Sequence, residues 1–185
     1  MTKTEREKML AGELYRAADP ELVALRRAAQ THLYAFNQSR PEELEVREEV
    51  VRSLFHTIGP SFEITPPFFC DYGGHIRAGK NLYINAYCTI LDCAWVTIGD
   101  NVLIAPNVQI YAAYHPTDPA VRLTGLELAA PIAIGNNVWL GGGVIVCPGV
   151  TIGDNSTIGA GSVVTKSIPA DVVAVGNPCR VIRNI

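Results

Sequence analysis

Val138-Trp139-Leu140-Gly141-Gly142-Gly143, Val144-Ile145-Val146-Cys147-Pro148-Gly149, Val150-Thr151-Ile152-Gly153-Asp154-Asn155 and Ser156-Thr157-Ile158-Gly159-Ala160-Gly161 are consecutive groups of six that repeat one pattern. The third residue of each is aliphatic, a small residue tends to follow it, and Gly or Asn tends to close the group. Working outward, the aliphatic position recurs at Ile98, Ile104 and Ile110, then at Ile134, and it ends at Val164. A period of six matches neither an amphipathic helix, at about 3.6 residues, nor strand alternation, at about 2. It marks a repeat architecture, which has to be recognised before any single helix or strand is assigned.

Each group of six makes one short extended segment with its aliphatic side chain inward. The small residue lets the chain turn, and Gly or Asn tolerates positive φ at the corner. Three such segments close one triangular coil, and stacked coils pair their backbones about 4.8 Å apart, as in any sheet. Val96–Ala113, Ile132–Gly149 and Val150–Ser167 each supply one full coil. The fold class is therefore mainly β, a parallel β-helix, with residues 60–185 forming the coil and its tail and residues 1–59 an N-terminal α-helical segment.

That helical segment has its own signals. Thr4 followed by Glu7 reads as a capping box ahead of Met9 and Leu14. Asp19-Pro20 opens a second helix, with Asp as N-cap and Pro in the first position. A third helix starts near Pro41, placed in its first turn, and ends at Gly59-Pro60. Between 60 and 95 the coil starts imperfectly. Ala78, Ile84 and Ile90 keep the period, but the step to Ile98 is eight, which puts a two-residue bulge near Asp92-Cys93-Ala94-Trp95. A larger interruption, a projecting loop over 114–131, separates Ile110 from Ile134 by a multiple of six, so the register resumes after it.

Composition narrows the function. The chain has 185 residues, 48% of them hydrophobic and 18% charged, with a formal net charge of −3. That is a globular composition without the basic face of a nucleic-acid binder. No apolar run approaches the roughly 18 residues that span a membrane, and no signal-peptide core follows Met1. Five Cys, an odd number without a CxxC, read as small buried residues in a reducing, cytoplasmic setting.

His115 is the one His in the projecting loop, directly after a coil and pinned by Pro116. An imidazole there is able to take a hydroxyl proton near neutral pH. Asp118, Glu127 and a backbone carbonyl all stand as partners for its second nitrogen, and the sequence does not choose. GxSxG, Walker and GxGxxG motifs are all missing, and the Gly141-Gly142-Gly143 run falls in register as a coil corner. Lys166, Arg180 and Arg183 supply positive charge for a ligand with several phosphates.

The hexads, Asp100–Pro119, the tail Val175–Arg183 and the opening Met9-Leu10-Ala11-Gly12-Glu13-Leu14-Tyr15 together resemble the hexapeptide-repeat sugar O-acetyltransferases of the maltose and galactoside type. The resemblance spans nearly the whole chain. It implies a left-handed coil, a homotrimer with active sites between neighbouring coils, and acetyl-CoA as co-substrate, with no metal. His115 matches the family's general base and Asn85 a residue at the acceptor and acetyl site. Arg26, Asp71 and Tyr83 match acceptor positions. Gly142, Ala160, Thr165, Lys166, Arg180 and Arg183 match contacts to coenzyme A. Where the galactoside type carries acidic residues, this chain has Cys93 and Ala17, with Asp92 and Asp19 close by; Asp92 is accordingly expected at the acceptor. These departures favour a maltose- or glucose-like acceptor. A non-sugar or drug acceptor and a non-catalytic scaffold remain as alternatives. A zinc enzyme built on the same repeat would need about three His around the metal, and the coil region offers His75 and His115.

Overall fold

The structure, a computed structural model, describes residues 2–185. Three helices lead the chain: α1 (Glu5–Leu10), α2 (Pro20–Asn37) and α3 (Leu44–Leu54). Thr4 and Glu7 form the expected reciprocal capping box on α1, and Asp19 caps α2 by accepting from Glu21 N–H at 3.0 Å. The apolar stripe Leu22, Ala29, Leu33 and Phe36 is buried, which fixes the face that α2 turns to the protein. Pro41 lies in the turn ahead of α3, not in its first turn, because the helix begins only at Leu44 with Glu43 as an N-cap that makes no side-chain bond. The helix also ends at Leu54, and Thr57–Ile58 is already a strand of the coil.

The coil has three parallel faces. Face one stacks Thr57–Ile58, Ile76–Ala78, Val96–Ile98, Ile132–Ile134 and Thr151–Ile152. Face two stacks Phe62–Ile64, Leu82–Ile84, Leu103–Ile104, Trp139–Leu140, Thr157–Ile158 and Val172–Val175; Arg180–Asn184 then closes its edge by antiparallel pairing. Face three stacks Phe68–Cys70, Cys88–Leu91, Gln109–Tyr111, Ile145–Val146 and Val163–Val164. All nine aliphatic positions read from the repeat point inward, none more than 2% exposed. Each such side chain contributes roughly 1.5–3 kcal/mol by leaving water, so this stack is the main support of the fold.

The turns differ in length. Thr57 pairs with Arg77 and Arg77 with Thr97, steps of 20 residues. Thr97 pairs with Ala133 across the projecting loop, and Ala133 with Thr151, a step of 18. Thr157 pairs with Val173, a step of 16. Two 20-residue coils therefore precede Val96, where the sequence suggested an imperfect start. The eight-residue step occurs twice, from Cys70 to Ala78 and from Ile90 to Ile98, so the bulge is a repeated corner.

The corner between faces one and two shows why the repeat wants Gly and Asn. Asn81, Asn101, Asn137, Asn155 and Asp171 all have φ between 56° and 59°. Their amides donate one to the next, at 2.8 Å from Asn81 to Asn101 and 2.7 Å from Asn155 to Asp171. Gly99 has a different reason for lacking a side chain. An added Cβ there would stand 2.7 Å from the carbonyl carbon of Gly135 in the next coil, so close stacking excludes it.

The candidate active site

The extra residues of the long coils all fall at one corner, between faces three and one. Residues 71–75 leave coil 57–70, residues 92–95 leave coil 76–91, and the loop after Ala112 leaves coil 96–111. Extra backbone at a rigid edge is where a repeat protein presents function. The loop itself is ordered by a short antiparallel pair, Ala113–Tyr114 with Leu128–Ala129, and by a helical turn at Pro119–Arg122. His115 sits just past the first of these strands and is exposed. Neither Asp118 nor Glu127 orients it: Asp118 accepts from Ala120 N–H at 2.8 Å, and Glu127 accepts from the Tyr15 hydroxyl at 3.0 Å.

Asp71 lies at the same corner. Burial pushes its carboxyl pKa up, against a pull downward from the Cys93 thiol that donates to it at 3.3 Å. Burial also pushes the Cys93 thiol up, so it stays protonated and acts as a donor, not a nucleophile. Arg26 reaches over from α2. Its Nη1 donates to the Tyr72 hydroxyl at 2.6 Å and its Nη2 to the Ala17 carbonyl at 2.6 Å. Tyr15, Tyr72 and Glu127 complete this group; the sequence pointed to neither tyrosine as a site residue and offered Glu127 only as a partner for His115, because their actual partners are remote along the chain.

Asp92 is not placed to meet a substrate. It is fully buried, and its carboxylate accepts from the backbone N–H groups of Asp71, Tyr72 and His75 at 3.1, 2.8 and 3.2 Å. Asp19 is likewise occupied as a helix cap. Neither replaces a carboxylate at 93 or 17. His75, ambiguous in the sequence, is buried with Nδ1 2.8 Å from the Asp92 carbonyl oxygen, and burial lowers its pKa, so its ring is held neutral.

The remaining candidates stand elsewhere. Tyr83 is on face two, and Asn85 follows it at the corner between faces two and three. Asn85 Oδ1 accepts from Ala86 N–H at 2.8 Å, and its Nδ2 donates to no acceptor among the described residues. Gly142 and Ala160 continue that corner in later coils: Gly142 O accepts from Gly161 N–H at 2.8 Å. Among the described residues the N–H groups of Gly142 and Ala160 donate to no protein acceptor. Thr165 and Lys166 return to the corner of His115, and Arg180 and Arg183 lie exposed on the closing strand of face two. Lys166, Arg180 and Arg183 form no ion pair among the described residues. One chain thus brings Arg26, Asp71 and His115 to one corner and Tyr83, Asn85, Gly142 and Ala160 to face two and its far corner.

Comparison with known proteins decides the family. The profile described as "Maltose acetyltransferase hexapeptide capping motif" matches residues 8–59, and "Bacterial transferase hexapeptide (six repeats)" matches residues 131–166. The galactoside O-acetyltransferase of Escherichia coli (strain K12) is 49% identical over 97% of this chain and 88% of its own length. The chain belongs to the hexapeptide-repeat O-acetyltransferases. A crystal structure of a maltose O-acetyltransferase from Clostridium difficile 630 superposes with a TM-score of 0.99 at 51% identity, covering 100% of this chain and 99% of that one. A galactoside acetyltransferase solved with coenzyme A superposes with a TM-score of 0.96 at 48% identity, covering 100% and 92%. Acetyl-CoA is the co-substrate of this acetyltransferase, and the N–H groups of Gly142 and Ala160 are open to an acceptor on a ligand.

Proposed function

We propose that this O-acetyltransferase acylates a hydroxyl of a sugar, with a maltose- or glucose-like acceptor, and that it works as a homotrimer. The observation that carries the reading is the division of the matched residues between two corners of one triangular coil. A base at one corner and an oxyanion donor at another meet only when two coils lie side by side. Exposed apolar side chains on faces two and three support such packing. Leu103 and Trp139, paired in adjacent coils, are 50% and 52% exposed, and Phe69 is 45% exposed.

In the proposed reaction His115 takes the proton of the acceptor hydroxyl, and that oxygen attacks the thioester carbonyl carbon. The free Asn85 Nδ2 donates to the developing oxyanion. Collapse expels the thiolate, which recovers the proton from the imidazolium, so the base is restored. No acyl-enzyme is needed, and burial raises the pKa values of Cys70, Cys88, Cys93, Cys147 and Cys179, which keeps the thiols out of nucleophilic use. Lys166, Arg180 and Arg183 meet the phosphates of coenzyme A.

Thiol release from acetyl-CoA, followed with maltose, glucose and a galactoside, tests the reading. Acceptor-dependent release with maltose or glucose ahead of the galactoside is expected. Release that no sugar stimulates, despite binding of coenzyme A, would overturn the sugar acceptor.

A further inference from the structure

We propose that Asp92 is a positioning residue for the acceptor site, acting through Asp71 and Tyr72; this rests on the reading of that corner as the acceptor side. The two bulged corners lie one above the other, and Asp92 in the upper one ties down the lower one. Its Oδ1 accepts from the N–H of Asp71 and of Tyr72, and its Oδ2 from the N–H of His75. Its carbonyl oxygen holds the His75 ring at 2.8 Å. One side chain therefore fixes both ends of the 71–75 segment.

That segment carries two of the groups that face the acceptor side. Asp71 presents its carboxyl beside Cys93, and Tyr72 receives Arg26 from α2. Where these side chains stand is set by backbone that no regular strand holds. Strands of the coil are placed by ladder pairing, Phe68–Cys70 with Cys88–Leu91 and Ile76–Ala78 with Thr57–Ile58 and Val96–Ile98, whereas residues 71–75 fall between the two strands, outside both ladders. The Asp92 carboxylate supplies the missing partners. It is 0% exposed, and among the described residues no cation touches it; the nearest basic side chain is the buried His75, 4.0 Å away, whose ring is neutral. A buried carboxylate without a counter-charge is a costly way to fill space, and it persists where its hydrogen bonds determine a conformation.

Asn at this position keeps the shape but turns one acceptor oxygen into an NH2 group that faces backbone N–H donors. The lower corner then loses at least one tether. Misplacing substrate-positioning groups by about 1 Å costs up to roughly a hundredfold. The groups that meet coenzyme A lie on later coils, and Asp92 bonds to none of them, so they should be untouched.

The test compares Asp92→Asn with the wild type in the sugar-dependent thiol-release assay, with KM resolved separately for acceptor and for acetyl-CoA. The expected result is a roughly tenfold or greater rise in acceptor KM with the acetyl-CoA KM within about twofold, the size of a lost positioning contact. A double-mutant cycle with Asp71→Asn should be non-additive, because the first change acts through the second residue. An unchanged acceptor KM, or equal increases in both KM values, would overturn the proposal. Should Asp92→Asn not fold, Tyr72→Phe leaves the tether intact but releases Arg26; an acceptor KM unmoved in that variant overturns it too. A wild type that no sugar stimulates is a failure of the proposed function, separable from these outcomes.

Discussion

Tyr15 and Glu127 exchange two backbone hydrogen bonds, at 3.1 and 3.0 Å, and a third from the Tyr15 hydroxyl to the Glu127 carboxylate at 3.0 Å. The N-terminal segment thus holds down the far end of the loop that carries His115. Tyr15 is fully buried. Replacing it with Phe keeps the ring and the backbone pair but removes the hydroxyl donor. A loss of about 1–3 kcal/mol in denaturant unfolding is expected, the worth of a hydrogen bond to a charged, half-buried acceptor. Limited proteolysis should find the loop cut sooner in the variant, and equal rates would argue that the backbone pair alone restrains it.

His115→Ala should lower turnover on the order of 10²–10⁴, the usual worth of a positioned general base. Binding of coenzyme A, read by calorimetry, should not change. Mixing this variant with Asn85→Ala after unfolding and refolding supplies a sharper reading. If each site takes its base from one chain and its amide donor from the next, about a quarter of the sites in an equimolar mixture regain both groups. Activity that does not reappear on mixing would place both groups in one chain.

The Asp71 carboxyl, raised by burial above the ordinary carboxylate range, makes a prediction with a definite sign. A raised carboxyl favours the folded state below the unfolded pKa, and that support is lost as pH rises through the folded pKa. Asp71→Asn removes the penalty. Its Tm relative to wild type should therefore be higher at pH 7 than at pH 3.5, while acceptor-dependent turnover falls. A Tm difference independent of pH would show that the carboxyl ionises at no cost in the folded protein.

Arg180 and Arg183 stand exposed and free of carboxylate partners among the described residues. Each exposed cation contributes about 1 kcal/mol to a phosphate contact. Replacing both with Ala should weaken coenzyme A binding roughly thirtyfold, since each 1.4 kcal/mol is about tenfold. The wild-type affinity should also fall with added salt, and the double variant should respond less steeply. Parallel salt curves would remove these residues from the phosphate site.

The residues whose spacing is periodic were readable without a structure. The inward aliphatic positions, the capping box at Thr4 and Glu7 and the resumption of register at Ile134 all follow from local pattern. What stayed hidden depends on contacts between distant segments. Ile58, Ile64 and Cys70 keep the six-residue step, yet the Phe- and Pro-rich run between them obscured the first coil. A second eight-residue step, from Cys70 to Ala78, was the available signal that the bulge near Asp92 is one of a stacked pair. Nothing near Asp92 distinguishes a substrate ligand from a buried tether; only the position of the 71–75 backbone does. The partners of Tyr15, 112 residues away, and of Arg26, 46 residues away, leave no local trace either.

The coils step from 20 residues to 18 to 16 along the axis. Length is therefore spent unequally along this prism: its broad end has slack at one edge, and its narrow end has none. Substitutions at the slack edge change side chains that no ladder depends on, while the narrow end must keep its stacking or lose the fold. With the acceptor at the slack edge, as proposed, acceptor preference and thioester recognition are in consequence free to drift at different rates. One lineage can try new acceptors against a donor grip that stays the same.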